Sequence, residues 1–518
     1  MVVEPLDLSL EQNTGDRLGT EPIPLVRRTV AAFIGRTERG PLNEPVVLVD
    51  FEQFRAAFGG DCSFSFVSHA VQHYFLHGGQ TAVVVRVANR ATRARIDLPA
   101  QGQYLYLQAR HPGGHEFLRA SVDYDGLQTE PERFNLVIQR LRGPGSTLIA
   151  DQEIHPRVSM HHSDQRFIVD ALQDSKLVRL SGPLPGNRPD ATVAKFSGQP
   201  IPYIPLTEAG ADGEELTDYD IIGSNHEGTG LFALEHGSGF DLLCIPASPC
   251  ADLGTTAFVA AERFCERQRA ILICDPPASW TSVHAAVIGM RNTTRLSRNA
   301  MTYFPRIRAR GEGGRFAAGM PACGAVAGLL ARQDSSGVWS AITTGTLRGS
   351  LTPTTVLNGS DAALLKRFGV NALTHIGGGN AAMIGNVTLG GSNAFSKFWQ
   401  RLDRRRLLLL ILKSIDEATR WVPQSLDVDA DAAATELERQ VRTFLAGLFE
   451  RGALAGRTPA QAFFVEALSD AGTERALVLR YGVALHEPSE FLIYEIHYRR
   501  DGTTTRLVPA LEAERLLL

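Results

Sequence analysis

The chain has 518 residues, of which 44% are hydrophobic and 21% charged, so it can bury a large core and form two to four domains. Its net charge of −4 gives no reason to expect nucleic acid or a membrane surface as its partner. The longest apolar runs fall far short of the roughly 20 residues that a membrane span needs, so we expect no direct membrane insertion. The N-terminus has acids where a secretion signal has basic and apolar segments.

The first part of the chain predicts an arm followed by a layered α/β unit. Residues 1–27 are polar and contain three prolines, which predicts an extended arm. Residues 28–91 then alternate short buried strands (VAAFIG, VVLVD, TAVVVRV) with helical segments that end at glycines. This alternation is typical of α/β packing and predicts the first part of a core domain.

The regular alternation is lost between residues 92 and 227. Short alternating stretches with many glycines and prolines predict an inserted, mostly β domain. Apolar strands return at DLLCIPA and AILICDPP, with a helix between them, so the unit begun at Arg28 resumes in residues 228–499. The predicted fold class is therefore α/β (mixed α+β), with a discontinuous core, an inserted outer domain and extended linking segments at both termini.

The stretch Arg401 to Pro423 predicts an interior helix. Leu407 to Leu412 are apolar without a break, so nearly two turns must face other protein on every side. Four arginines around Asp403 lie at the helix start, where the helix dipole disfavours cations, so they predict a negatively charged partner or a solvated basic turn. A second amphipathic helix is predicted over Ala432 to Arg451.

The C-terminal part contains a strongly apolar strand, EFLIYEIHYR, in which Leu492, Tyr494, Ile496 and Tyr498 share one face. Such a strand must be covered, either within its own subunit or by pairing with a neighbour's sheet edge. The pattern alone favours the first alternative. Residues 500–518 form an acidic, leucine-bearing tail of no predicted structure.

Motifs that could carry chemistry have stronger structural explanations. GGGNAA, Gly377 to Ala382, loosely matches a dinucleotide-binding turn, but no long helix and no later acid follow it, which favours a structural glycine turn. His69, His73 and His77 lie at helical spacing and could hold zinc only with a ligand from elsewhere. His77 precedes a glycine, where a helix C-terminus favours an imidazolium. Six cysteines without a CxxC motif predict free thiols. We predict no catalytic, cofactor-binding or metal-binding residues.

The order of several segments resembles the contractile tail sheath family of phages and phage-like extracellular injection particles. The segments are VAAFIGRTERGPLNEPVVLVDFEQFRAAFGG, HAVQHYFLHGGQTAVVVRVAN, FNLVIQRL, TGLFALEHGSGFDLLCIPA, SRNAMTYFPRI, FGVNALTHIGGG, RRRLLLLILKSIDEATRWV and GVALHEPSEFLIYEI. Together they cover roughly residues 28–498 in consistent order.

The resemblance implies a structural protein without an active site. Sheath subunits of this family polymerise as a helix around an inner tube and contract irreversibly, while N-terminal arms and C-terminal strands link neighbouring subunits. The implied partners are further copies of the chain, the inner tube protein, and baseplate and tail-terminator or cap proteins. The implied location is the bacterial cytoplasm during assembly, and afterwards a phage tail or a released particle.

The resemblance also implies roles for particular residues. It favours the second alternative for the apolar strand, which would then act between subunits; the residues are Phe491, Leu492, Ile493, Tyr494, Glu495, Ile496, His497 and Tyr498. It also suggests that a helix near residue 440 faces the tube, with Arg439, Arg442 and Arg451 as candidates. The alternatives are the sheath of a type VI-like secretion system and an α/β nucleotide-binding enzyme that uses the Gly377–Ala382 loop.

Overall fold

The computed structural model describes residues 22–25, 27–192, 202–292, 296–309, 319–340, 345–349, 351–375, 381–389, 399–426, 429–470, 476–500 and 502–508. The chain forms two compact units. The first consists of Arg28–Ser336 and Ala341–Leu402, and the second of Met1–Arg27, Gly337–Ser340 and Asp403–Leu518. The predicted range 228–499 is thus divided near residue 402. Most of the predicted N-terminal arm lies outside the described residues.

The first unit contains most of the strands. Its chain begins with β1 (Val30–Gly35), β2 (Pro45–Leu48), α1 (Phe51–Phe58), α2 (Val67–Leu76) and β3 (Thr81–Arg86). The next elements are β4 (Arg95–Ala100), β5 (Gln103–Ala109), β6 (Leu118–Asp123), β7 (Arg133–Leu141), β8 (Ile149–Ser159), α3 (Ile168–Ala171), β9 (Val178–Ser181), β10 (Ile204–Pro205) and α4 (Asp218–Ile222). Then come a 3-10 helix (Gly230–His236), β11 (Leu242–Cys244), α5 (Thr255–Arg267), β12 (Ile271–Cys274), α6 (Val283–Arg291), β13 (Ala300–Phe304), β14 (Ile307–Ala309), α7 (Cys323–Gln333), a second 3-10 helix (Asp334–Ser336), β15 (Gly345–Thr346), β16 (Leu351–Pro353), α8 (Gly359–Arg367), β17 (Asn371–His375) and β18 (Ala381–Ile384).

A nine-stranded sheet in the order β15-β18-β17-β13-β12-β11-β1-β3-β2 forms the centre of the first unit. Its inner strands are parallel, and residues such as Ala31 to Ile34 are fully buried, as expected for continuous apolar strands covered on both faces. Strand β1 pairs directly with β11, more than 200 residues later in the chain. This pairing confirms the predicted discontinuous α/β core.

The chain between β3 and β11 is mostly β structure, as predicted. Strands β10-β6-β7-β8 form one sheet and β4-β5-β9 another, and they share an apolar cluster drawn from residues 94–206. Thr92 and Ala211 exchange backbone hydrogen bonds of 3.0 and 3.2 Å where the chain enters and leaves. Leu216 and Ile221, which follow, pack instead against the apolar cluster of the nine-stranded sheet.

The second unit contains most of the C-terminal helices and an antiparallel sheet. Its elements are α9 (Leu402–Ala418), α10 (Val422–Ser425), α11 (Ala430–Glu450), α12 (Pro459–Ala462), β19 (Phe463–Asp470), β20 (Ala476–Ala484), β21 (Phe491–Arg499) and β22 (Gly502–Leu507). The predicted interior helix is confirmed, because Leu407 and Leu408 have no exposed surface and Leu409 only 4%. Arg405 and Arg406 are 5% and 6% exposed, so these two arginines do not belong to a solvated turn, whereas Arg401 is exposed.

Candidate assembly interface

The C-terminal sheet carries a row of alternating charges across its four strands. The order is β19-β20-β21-β22, and every neighbouring pair is antiparallel. Glu466 lies opposite Arg480, Arg480 opposite Glu495, and Glu495 opposite Arg506. We call these four residues the charge row.

Glu495 is the centre of the charge row and is 2% exposed. Its Oε1 accepts hydrogen bonds from Arg480 Nε (2.9 Å) and Nη2 (2.8 Å), and its Oε2 accepts from Arg506 Nε (2.8 Å) and Nη2 (2.7 Å). Burial by itself would raise the pKa of Glu495, but the hydrogen bonds from the two arginines outweigh burial, so the pKa is lowered. A charged carboxylate therefore connects three strands, and a one-residue slip would break its hydrogen bonds.

The two edges of this sheet differ. Along β19, Arg442 Nη2 on α11 donates to Val465 O (2.7 Å) and Glu438 Oε2 accepts from Ala467 N (3.4 Å), so side chains of a helix bind backbone groups of this strand. Along β22, no further strand is paired within the part of the chain that the structure describes, and five of its six residues are exposed. The β22 side is the open edge.

The strand predicted to act between subunits is β21, and it lies inside this sheet. It pairs with β20 on one side and with β22 on the other, so it has no open edge for a second copy in this structure. Ile493, Tyr494, Glu495, Ile496 and Tyr498 are buried, and Phe491, Leu492 and His497 are partly buried. The open edge belongs to the strand that follows, in the tail for which no structure was predicted.

The three arginines predicted to face a tube have different surroundings. Arg439 is 56% exposed and pairs with Glu436 at 2.6 Å, one turn earlier on α11. Arg442 pairs with Glu438 at 2.6 Å in addition to its contact with β19. Arg451 is exposed at the C-terminal end of α11. Arg442 thus has a role in the fold of its own chain.

His69 and His73 lie on α2 and His77 is the residue that caps its C-terminal end. Among the described residues, no three His, Cys, Asp or Glu side chains are grouped so that they could hold a metal ion. His77 has no exposed surface; its Nε2 accepts a hydrogen bond from Arg348 N (2.8 Å) and its Nδ1 lies 2.6 Å from His73 O. Burial lowers the pKa of His73 and of His77 to about 4. The predicted imidazolium at His77 is therefore wrong, because loss of hydration outweighs the helix dipole.

Strands β17 and β18, on either side of the predicted glycine turn, are antiparallel neighbours, which contradicts a strand-to-helix nucleotide site. Residues 376–380, including Gly377, lie outside the described residues, whereas Ala381 and Ala382 belong to β18. All six cysteines are free thiols. None of the described helices is both long and apolar enough to cross a membrane.

Sequence reasoning missed the charge row. One signal was present: Glu495 is an acid within an otherwise apolar strand, and a buried acid requires a partner. Arg480 occupies the same kind of position in the preceding strand, RALVLRYGVAL. The register that places the two residues opposite each other is set by the loop between the strands, which the pattern does not specify.

Comparisons with known proteins found structural matches only. No family model and no curated protein matches the sequence. A sheath tail protein of Listeria innocua matches with a TM-score of 0.63 at 12% identity, over 92% of this chain and 96% of its own. A sheath tail protein of Desulfitobacterium hafniense matches with a TM-score of 0.55 at 12% identity, over 94% and 99%. The sheath of an extracellular contractile injection system, PVC, in its contracted state matches with a TM-score of 0.51 at 13% identity, over 95% and 97%. The chain therefore has the fold of contractile sheath proteins along nearly its whole length.

Proposed function

We propose that this chain is the structural subunit of a contractile sheath that polymerises helically around an inner tube and contracts to drive that tube through a target envelope. The observation that carries the proposal is the full-length match, which covers at least 92% of this chain and 96% of each sheath protein. A match of this extent includes both units and the inserted β domain. A shared nucleotide-binding layer alone would cover only part of each chain.

The second unit is suited to a polymer in which every subunit has the same orientation. Side chains of α11 bind the β19 edge, so the β22 edge is the one that a strand of a neighbouring copy can join. A different segment of that copy, paired with this edge, makes a contact between two different surfaces. Contacts between two different surfaces generate rings or open helices, whereas identical surfaces generate closed dimers. The partners we propose are further copies of the chain, an inner tube protein, and baseplate and tail-terminator or cap proteins.

The proposed role requires no active site. The buried ionisable groups described above have structural explanations: Glu495 connects strands, and His77 binds the backbone of Arg348. The subunit would assemble in the bacterial cytoplasm and act as part of a phage tail or released particle. The inserted domain, residues of about 92–227, would lie on the outside of the sheath.

Electron microscopy tests this proposal directly. The full-length protein, alone and mixed with its tube protein, should form regular hollow tubes, and tubes grown on the inner tube should be longer and more uniform. A protein that stays monomeric under all these conditions, or whose stability rises on addition of nucleotides, would contradict the sheath role.

A further inference from the structure

One sheet of the inserted β domain, β4-β5-β9, has a face that is turned away from the apolar cluster of that domain. In its centre, Gln108 of β5 lies opposite Arg95 of β4 and opposite Arg179 of β9. Leu107 and Ala109, on either side of Gln108, are buried in the apolar cluster. Because successive strand residues alternate between the two faces, Gln108 and the residues opposite it lie on the other, outward face.

Two further arginines lie at the end of this outward face. Arg93 precedes β4, and its Nη1 donates to Ala109 O (3.2 Å) and to Arg110 O, so its side chain is held against the end of β5. Arg110 follows Gln108 by two residues, and its N–H still pairs with Leu177 O (2.8 Å), next to β9. The period of two therefore places Arg110 on the same face as Gln108.

We call Arg93, Arg110 and Arg179 the arginine cluster, and it has no acidic partner. Within the part of the chain that the structure describes, none of the three forms an ion pair, whereas Arg95 on the same face pairs with two acids at 2.8 and 3.4 Å. Burial lowers the pKa of Arg93, and the charges of Arg179 and Arg110 lower it further, while the charge of Glu44 has the smallest effect and acts in the opposite direction. The three like charges are thus close enough to repel one another.

The arginine cluster offers many hydrogen-bond donors, because a guanidinium group has five N–H donors and no acceptor. Arg93 uses Nη1 on two carbonyls, and Arg179 Nη2 donates to Gln108 Oε1 (3.3 Å). The guanidinium of Arg110 makes no side-chain hydrogen bond within the described ranges. Since its Oε1 already accepts from Arg179, Gln108 contributes its amide N–H groups as further donors. Arg110 and Arg179 are exposed, so a ligand can reach them.

We infer that the arginine cluster is a binding site for a phosphoryl group on the outward face of the inserted domain. A phosphoryl group has three oxygens that point in different directions, so it can accept hydrogen bonds from three guanidinium groups at once. A carboxylate has two oxygens in one plane and matches a single guanidinium fork. The inference goes beyond the sheath role and does not depend on it, because it uses only contacts within the inserted domain.

Two features distinguish the arginine cluster from arginines that are merely solvated. Arg93 is partly buried and held by two backbone carbonyls, and Arg179 is held by Gln108, so both side chains are ordered before a ligand binds. Ordered side chains lose less conformational entropy on binding. The neighbouring His111 is neutral near pH 7, because burial and the surrounding arginines lower its pKa to about 4, so guanidinium groups supply the positive charge.

Calorimetric titration of the unassembled full-length chain with inorganic phosphate, at constant ionic strength, tests the site. One phosphate should bind per chain, and Arg110→Gln/Arg179→Gln should weaken binding at least about tenfold, because two of the three charged donors are lost. The matched control is Arg142→Gln/Arg166→Gln, which makes the same charge change at exposed arginines next to β7 and β8 and should leave the affinity within about twofold. Equal weakening in the two double variants would overturn the inference. Circular dichroism checks that both variants are folded.

A second probe distinguishes free phosphate from a lipid headgroup as the source of the phosphoryl group. The probe is cosedimentation with phosphatidylcholine vesicles that contain phosphatidic acid. Vesicle binding that Arg110→Gln/Arg179→Gln loses and the control keeps would support the site and identify a headgroup as its ligand. Phosphate binding without vesicle binding would support the site and identify a soluble phosphate. Binding of neither probe, or vesicle binding that both double variants lose equally, would overturn the inference.

Discussion

At the residue scale, burial lowers the pKa of His77 and keeps its imidazole neutral, although the C-terminal end of a helix favours the protonated form. The four-residue spacing predicts that His73 and His77 lie on the same face of the helix, and the centres of their rings are 5.9 Å apart. The group that binds His77 Nε2 is the backbone of Arg348, 271 residues later. No local pattern reveals that contact, so the sequence could predict the helix face and not the protonation state.

This protonation state predicts how stability depends on pH. The pKa of His73 and His77 is about 4 in the folded chain, against about 6.5 in an unfolded chain, so the unfolded state binds protons first as the pH falls. The contribution of these groups is present above pH 6.5 and is lost progressively between about pH 6.5 and pH 4. The urea midpoint of the first unit should therefore decrease from pH 7 to pH 5.

Histidine variants identify the source of that change. His73→Gln/His77→Gln should be less stable at pH 7 but should show a smaller decrease between pH 7 and pH 5. His226→Gln, at an exposed position, is the control and should keep the full decrease. An unchanged decrease in the double variant would show that other groups control the acid sensitivity.

At the element scale, strand partners were the part of the structure that the sequence could not predict. The interior helix α9 follows from an unbroken apolar run, and the alternation in β21 follows from its residues alone. Whether β21 pairs with its own chain or a neighbour depends on what lies at its two edges. Gly502–Leu507 has too few apolar residues to mark it as a strand, yet it pairs with β21 along its whole length, and Arg506 binds Glu495.

Proline substitutions in two strands distinguish an inner strand from an edge strand. Ile493 is 4% exposed, pairs with Gly482 of β20 and accepts a hydrogen bond from Val508 N, so a proline there lies between two paired neighbours and should destabilise the sheet by on the order of 1–3 kcal/mol. Val508 N donates to Ile493 O (2.9 Å), so the antiparallel alternation directs the N–H of Thr503 away from β21. Thr503→Pro should therefore leave folding almost unchanged. Circular dichroism and limited proteolysis measure both. A folded, protease-resistant Ile493→Pro chain would show that β21 is not the inner strand.

Charge reversals on α11 separate a folding role from an assembly role. Arg442→Glu loses the hydrogen bond to Val465 O and places a second acid beside Glu438, so it should cost about 1 kcal/mol of stability. Arg439→Glu/Arg451→Glu should leave folding unchanged yet prevent assembly on the tube, if these exposed arginines bind tube acids. Thermal unfolding and electron microscopy provide the two measurements. Normal tube-templated assembly of the double variant would reject the tube-facing role.

At the scale of the whole molecule, the inserted β domain has its own apolar cluster and a narrow connection to the core. Thr92 and Ala211 are paired, so their backbones are already as close as neighbouring strands. A short Gly-Ser linker replacing residues 93–210 can therefore close the core without strain. Leu216 and Ile221 must be retained, because they pack against the nine-stranded sheet, and the sequence range 92–227 would remove them.

Excision of residues 93–210 should leave a folded chain that still forms tubes. One cost is expected at Arg86, which is 1% exposed and donates to Gly40 O (2.8 Å) and to Pro112 O (2.7 Å). Loss of the Pro112 carbonyl leaves part of a buried guanidinium without that acceptor, so stability should fall on the order of 1–3 kcal/mol. Excision of residues 93–226 removes Leu216 and Ile221 as well and should lower the unfolding temperature further. If the shorter excision folds but forms no tubes, the insert itself links subunits, and its proposed place on the outside of the sheath would be wrong.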